Sequence, residues 1–354
     1  MSSEFSTQYP PSTRLFEEWV NRVPEIVRET IDMLSPGALE AAAVLLNNAR
    51  RIFCVGSGSS VATAWHLAMS LCSHGGMASS YATTSQLVSM ESLGAGDLIV
   101  LVSQGFNRSD SAIVVHTAHT RGASLVVITA NPTPKTADAV LYFLPRAEEE
   151  RLFCRPCGGI SSLVVGELLL AACLKKSISV GDIVRAADTG SLPAWRSGHS
   201  LRKVSELIDR ASLVIVLGSG DLQPALHHLA LSLREGAGKV AEFYEIEYYA
   251  HGQYAPHFRH QDAGGMVVYL LAEASEDRVS SRSLERILPL LASTNSTYEI
   301  ASFAGPVSLA LVSLLAASNH LVHQVILRNE YDMNHPRGKE ENRGFQLVSE
   351  KYYE

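Results

Sequence analysis

An apolar β-branched run that ends in glycine and serine occurs twice in this chain. The copies are RRIFCVGSGSS at residues 50–60 and SLVIVLGSGD at 212–221, which place Gly56 and Gly218 in equivalent positions 162 residues apart. The downstream segments keep pace. GDLIVLVSQG (96–105) corresponds to GGMVVYLLAE (264–273), and GASLVVITANP (122–132) to STYEIASFAGP (296–306). After each run comes a polar turn and then a stretch of 3.6-residue periodicity, the alternation that builds a parallel sheet covered by helices. A length of 354 residues agrees with two cores rather than one. The expected fold is α/β: two tandem domains, each a parallel sheet flanked by helices in a flavodoxin-like three-layer sandwich. The expected boundaries are an N-terminal helical segment at 1–48, domain one at 49–176, a linker at 177–196, domain two at 197–330 and a C-terminal tail at 331–354 that closes over the site.

Composition narrows the chemistry. With 46% apolar and 18% charged residues the chain can bury a sizeable core. Its net charge of −7 comes without long single-sign runs, which argues against nucleic acid or a polybasic membrane anchor as partner. The first residues, MSSEFSTQYP, lack the basic and apolar regions of a secretion signal, and no uninterrupted apolar stretch approaches membrane length, so a cytoplasmic protein is expected. Five cysteines make no disulfide framework. Cys154 and Cys157 have the spacing of half a zinc site, but no second pair completes it, and two partly buried loop thiols are the plainer expectation.

The Gly-x-Gly turns invite comparison with the dinucleotide fingerprint, whose third glycine should come three positions after the second. Val61 and Gln223 stand there instead, which disfavours a nicotinamide or flavin cofactor. The first copy does offer hydroxyls and helix-start amides: Ser57, Ser59 and Ser60 after one strand, then Ser103, Gln104, Ser109 and Ser111 after another, with Arg108 among them. N-capping by Ser59 explains one hydroxyl. Two convergent loops carrying several, plus a cation, fit a phosphate better.

This pattern of strand-Gly-Ser-Ser and strand-Ser-Gln-Gly, duplicated over residues 40–337, resembles the sugar isomerase (SIS) family. It is most similar to double-SIS members such as the isomerase half of glutamine:fructose-6-phosphate amidotransferases, phosphosugar isomerases and fructosamine-6-phosphate deglycases. The resemblance implies phosphate binding by Ser59, Ser60, Ser103 and Gln104, with Arg108 and Ser109 where the family carries further loop residues. It implies that Glu235, which ends the family's Leu-Lys-Glu helix as Leu-Arg-Glu, moves a proton between C1 and C2. It implies that His251, sixteen residues on, opens the sugar ring in a neighbouring subunit's site, and hence a homodimer with shared active sites.

Departures from the family are specific. Ser232 replaces a lysine and His228 a carboxylate on the Glu235 helix. In the tail DMNHPRGKEENRGF the family lysine falls on Glu341, which leaves Lys339 as the nearest substrate contact. His257, His260 and Glu247, near His251, do not have metal-site spacing and are expected to be solvated loop residues. With about 40 residues ahead of the fold, no glutaminase domain is expected. The functional expectation is an isomerase, or a deglycase or deaminase, acting on a sugar or amino-sugar phosphate by proton transfer at C1/C2 without cofactor or metal. The alternative is a non-catalytic sugar-phosphate-binding regulator.

Overall fold

The structure, a computed structural model, describes residues 11–329 and 332, apart from 106–108, 132–136, 146–148, 150–151, 153, 189–192 and 295. Contacts divide the chain into two compact units. Of the described residues, one contains those within 25–151 and 157–184; the other contains those within 11–24, 152–156 and 185–332.

The elements run α1 (Pro11–Asn21), α2 (Val23–Met33), α3 (Pro36–Asn48), β1 (Arg51–Gly56), α4 (Ser60–Ser73), β2 (Ser79–Ala82), α5 (Thr84–Ser89), β3 (Asp97–Val102), α6 (Ser109–Arg121), β4 (Ser124–Thr129), β5 (Ala139–Tyr142), α7 (Pro156–Cys173) and α8 (Val180–Ala186). They continue with β6 (Ala194–Trp195), α9 (Leu201–Arg210), β7 (Leu213–Gly218), α10 (Gln223–Ala237), β8 (Ala241–Glu245), α11 (Ile246–Tyr248), α12 (Tyr254–Asp262), β9 (Val267–Ala274), α13 (Arg278–Ser293), β10 (Thr297–Phe303) and α14 (Val307–Asn329).

The first sheet has the order β2-β1-β3-β4-β5, and every pairing is parallel. Its central strands β1, β3 and β4 are buried on both faces, and the pleat sorts their side chains. Ile52, Cys54, Leu98, Val100 and Val102 join the layer with α3, α4 and α7, whereas Phe53, Val55, Ile99 and Leu101 join Leu87, Val114 and Ala118 from the side of α5 and α6. A continuous apolar run is what such a doubly covered strand requires.

The second sheet repeats the plan as β6-β10-β9-β7-β8. Ile215, Leu217, Tyr269 and Leu271 face Ile246, Tyr249, Leu284 and Ile287. On the other face α10 packs against β7 and β8, and α14 packs against α10. The copies differ at one edge: β5 is parallel to β4, whereas β6 is antiparallel to β10. The stretch read as a linker also contains α8 as well as β6.

Residues 13–48, expected to be helical, form three helices, of which α1 packs on α14. Phe16 lies 6.2 Å from the His323 ring, and Ser12 donates to Asp332 at 2.7 Å. Helices α7 and α14 are long and apolar enough to cross a membrane, but 83% of each such window is buried in the protein.

Candidate functional site

In a parallel sheet of this order the chain leaves β1 toward one edge and β3 toward the other. The loops after these strands therefore diverge and open a crevice at the carboxyl ends of the strands. After β1, Ser60 N donates to Ser57 O and Val61 N to Gly58 O, both at 3.2 Å. Gly58 adopts φ +58, which costs glycine nothing. Gly56 has no room for a side chain, since a Cβ would lie 2.6 Å from the Ser60 carbonyl oxygen. The capping role weighed for Ser59 is not seen: it enters α4 with helical backbone angles and its hydroxyl makes no capping bond among the described residues. Ser59 is half-buried and Ser60 buried.

The loop after β3 is strapped to the end of β4. Ser103 N donates to Ile128 O, Ala130 N donates to Gln104 O, and Asn131 Nδ2 donates to Gly105 O at 2.7 Å. Ser103 Oγ lies 2.9 Å from Ser111 Oγ in the first turn of α6, the helix that Ser109 opens. Gln104 is only 7% exposed, and its Nε2 donates to Glu149 at 2.9 Å. Its amide nitrogen is thereby engaged inside the protein, although the sequence resemblance groups it with the ligand contacts. Arg108 and Lys339 lie outside the described residues.

Glu149, which the sequence reading did not single out, ties this loop to α7. Fully buried, it also accepts from Cys157 N and from Gly158 N at 3.0 Å, which satisfies the open amides and the positive end of α7. The available signal was an acidic run shortly before a helix that starts with proline. Gly158 sits tightly here: a Cβ would stand 2.5 Å from the Gln104 amide group. Cys154 and Cys157 are both buried, correcting the expected partly exposed loop pair: Cys157 is the second residue of α7.

The equivalent crevice of the second sheet lies beyond β7 and β9. Gly220 repeats the φ +58 of Gly58, but here Asp277 fills the turn. Its Oδ2 stands 2.5 Å from where a Gly220 Cβ would be and accepts from Asp221 N at 3.2 Å. Its Oδ1 accepts from Val279 N and Ser280 N at 3.0 and 3.1 Å. The buried Ser219 hydroxyl beside it has no partner among the described residues. The same backbone turn thus holds an anionic group, supplied by the chain itself, in the second copy. Around Gly58 nothing among the described residues comes within 4 Å of the corresponding position.

Glu235 is half-buried, two residues before the end of α10. Next to it, a Cβ on Gly236 would stand 2.7 Å from Val322 and 3.2 Å from Cys154 Sγ. Because α10 returns antiparallel to the strands, Glu235 lies at the amino edge of the second sheet. His251 lies beyond the carboxyl end of β8, exposed, with φ −86 and ψ 21 and followed by Gly252 at φ +128. The five residues of β8 span about 17 Å, so the fold sets the two at opposite edges of one sheet.

Ser232 and His228 are buried within the packing of α10, and burial, aided by His227, lowers the His228 pKa to about 4. His257, expected in solvent, is also buried and meets Glu242 and Tyr249. No group of three or more His, Cys, Asp or Glu among the described residues is arranged to hold a metal ion.

Residues 45–171 match the SIS domain family. No curated protein matches the sequence. Among solved structures, the C-terminal domain of glucosamine-fructose-6-phosphate aminotransferase from Francisella tularensis is 18% identical with a TM-score of 0.73, covering 91% of this chain and 98% of its own. Tagatose-6-phosphate ketose/aldose isomerase from Escherichia coli is 20% identical with a TM-score of 0.69, covering 93% and 100%. Glucosamine-6-phosphate deaminase from Thermotoga maritima is 14% identical with a TM-score of 0.65, covering 91% of each chain. These likenesses establish a common fold.

Proposed function

We propose, starting from the match of residues 45–171 to the SIS domain family, that this protein moves a proton between C1 and C2 of a sugar or amino-sugar phosphate. One observation carries the reading: a turn used twice meets a carboxylate in the second copy through its Asp221 amide and presents serine hydroxyls in the first. The anion in the first copy is the ligand's phosphate, held by Ser59 and Ser60 at the positive end of α4 and by Ser103, Arg108 and Ser109 after β3. Gln104 positions that loop through Glu149. The names of the Escherichia coli and Thermotoga maritima neighbours, each a sugar 6-phosphate enzyme, support the ligand class.

Once the ring is open, Glu235 takes a proton from one of the two carbons, the electron pair forms an enediolate, and the same carboxylic acid returns the proton to the other carbon. His251 moves the ring-opening proton. Glu235 and His251 lie at opposite edges of their own sheet, so they serve different sites, which supports a dimer in which His251 reaches its partner's ligand. The test is NMR of fructose 6-phosphate, tagatose 6-phosphate and glucosamine 6-phosphate in D2O with the wild-type protein. Deuterium entering C1 or C2 is the expected result. Saturable binding without exchange of any of the three would overturn catalysis and make the protein a sugar-phosphate regulator.

A further inference from the structure

A chain of polar side chains joins Glu242 on β8 to Tyr269 on β9, and the proton-transfer steps do not use it. Tyr244 donates to Glu242 Oε2 at 2.7 Å, and His257 Nε2 lies 3.3 Å from the same oxygen. The other ring nitrogen of His257 lies 3.2 Å from the Tyr249 hydroxyl, which donates to the Tyr269 hydroxyl at 3.1 Å. Tyr249, Tyr269 and His257 are buried. The Tyr249 and His257 rings are stacked, 6° from parallel with centroids 5.6 Å apart.

This chain brackets His251. Tyr249 comes two residues before it and His257 six residues after, while the turn between them has a glycine at φ +128 and exposes His251. Such a turn has little of its own to keep one shape. Its two flanks, however, are tied to each other and, through Glu242 and Tyr269, to neighbouring elements of the sheet.

We infer that His257 is a positioning residue that clasps the turn carrying His251, an inference that rests on the role given to His251 above. Apolar residues would fill the same volume. Hydrogen bonds with fixed partners select one arrangement of the turn, because every group left unpaired in that buried chain is costly. Burial lowers the pKa of His257, and Glu242 opposes the shift.

The test compares wild type, His257→Phe, His257→Asn and Tyr249→Phe as full-length proteins. His257→Phe keeps the stack and removes both polar contacts; His257→Asn restores a donor or acceptor toward Tyr249. Amide hydrogen exchange over residues 246–254 is expected to quicken about tenfold in His257→Phe, with the peptides of α10 and β9 unchanged, and to recover in His257→Asn. With fructose 6-phosphate in D2O, kcat is expected to fall about tenfold while KM stays within about twofold.

Unchanged exchange over 246–254, or a raised KM at unchanged kcat, overturns the clasp. Should His257→Phe not fold, Tyr249→Phe gives the same readings by deleting one hydroxyl. If wild type moves no deuterium into any phosphosugar, the functional reading fails, while hydrogen exchange still decides whether the clasp exists.

Discussion

A glutamate near the end of a helix is ordinarily a solvated side chain, so its residue type says little about Glu235. What singles it out is the resemblance to the sugar isomerase family, which places Glu235 and His251 sixteen residues apart. The prediction belongs to that one carboxylate. Glu235→Gln should lower turnover of an accepted phosphosugar by about 10²- to 10⁴-fold while leaving phosphate-dependent binding nearly unchanged. Steady-state kinetics beside calorimetry with the same sugar checks it, and full turnover would remove Glu235 from the mechanism. Glu149 was not legible, because its partners come from residues 104, 157 and 158 and no local pattern joins them. Its neighbourhood predicts that Gly158→Ala, pressing on the Gln104 amide, destabilises the chain by about 1–3 kcal/mol. Urea denaturation measures that; a neutral effect would mean that the Gln104 and Glu149 pair yields without cost.

Among the elements, the central strands were legible because doubly covered strands are written as unbroken apolar runs. Edge strands carry no such signature. The four residues of β2 are largely polar and β6 has only two, so neither the antiparallel edge nor the helix inside the linker could be read from pattern. Helix starts separate function from stability. Asp277 caps α13 through two amides and also holds the β7 turn through Asp221, whereas Ser59 makes no capping bond. Asp277→Ala should therefore cost about 1 kcal/mol or more, and added phosphate or formate should raise its melting temperature more than that of wild type by reoccupying the cradle. Ser59→Ala should change stability by no more than about 0.5 kcal/mol and weaken sugar-phosphate binding severalfold. Thermal melts over an anion series test both. A destabilised Ser59→Ala with unaltered binding would reverse the assignment.

At the scale of the whole molecule, the duplication foretold two sheets, but not that α1 would pack against α14 at the far end of the sequence. Helix α1 carries Phe16 onto His323, and His323 is one of three histidines, with His228 and His320, that burial holds well below the usual range; two of them, His323 and His228, are almost fully buried. Burial lowers the pKa of His323 to about 4, and burial with the neighbouring His227 does the same to His228. Neither Nε2 of His323 nor Nδ1 of His228 has a hydrogen-bond partner among the described residues, so nothing nearby repays the charge on protonation. In the unfolded chain both rings titrate near 6.5. Above that pH they are neutral in either state and their contribution to stability is fully present. Between about 6.5 and 4 the unfolded chain binds more protons than the folded one, so stability falls with pH, and the contribution is lost below the folded values. Each ring accounts for at most roughly 3 kcal/mol over that window. Chemical denaturation at steps from pH 7.5 to 4.5 should show the decline, and His228→Gln with His323→Gln should make it shallower, with the part due to His320 remaining. The same slope in the double variant would place the acid sensitivity elsewhere. This acid response belongs to the packing of α10 and α14, so it should persist in Glu235→Gln, whose loss of turnover leaves both buried rings in place.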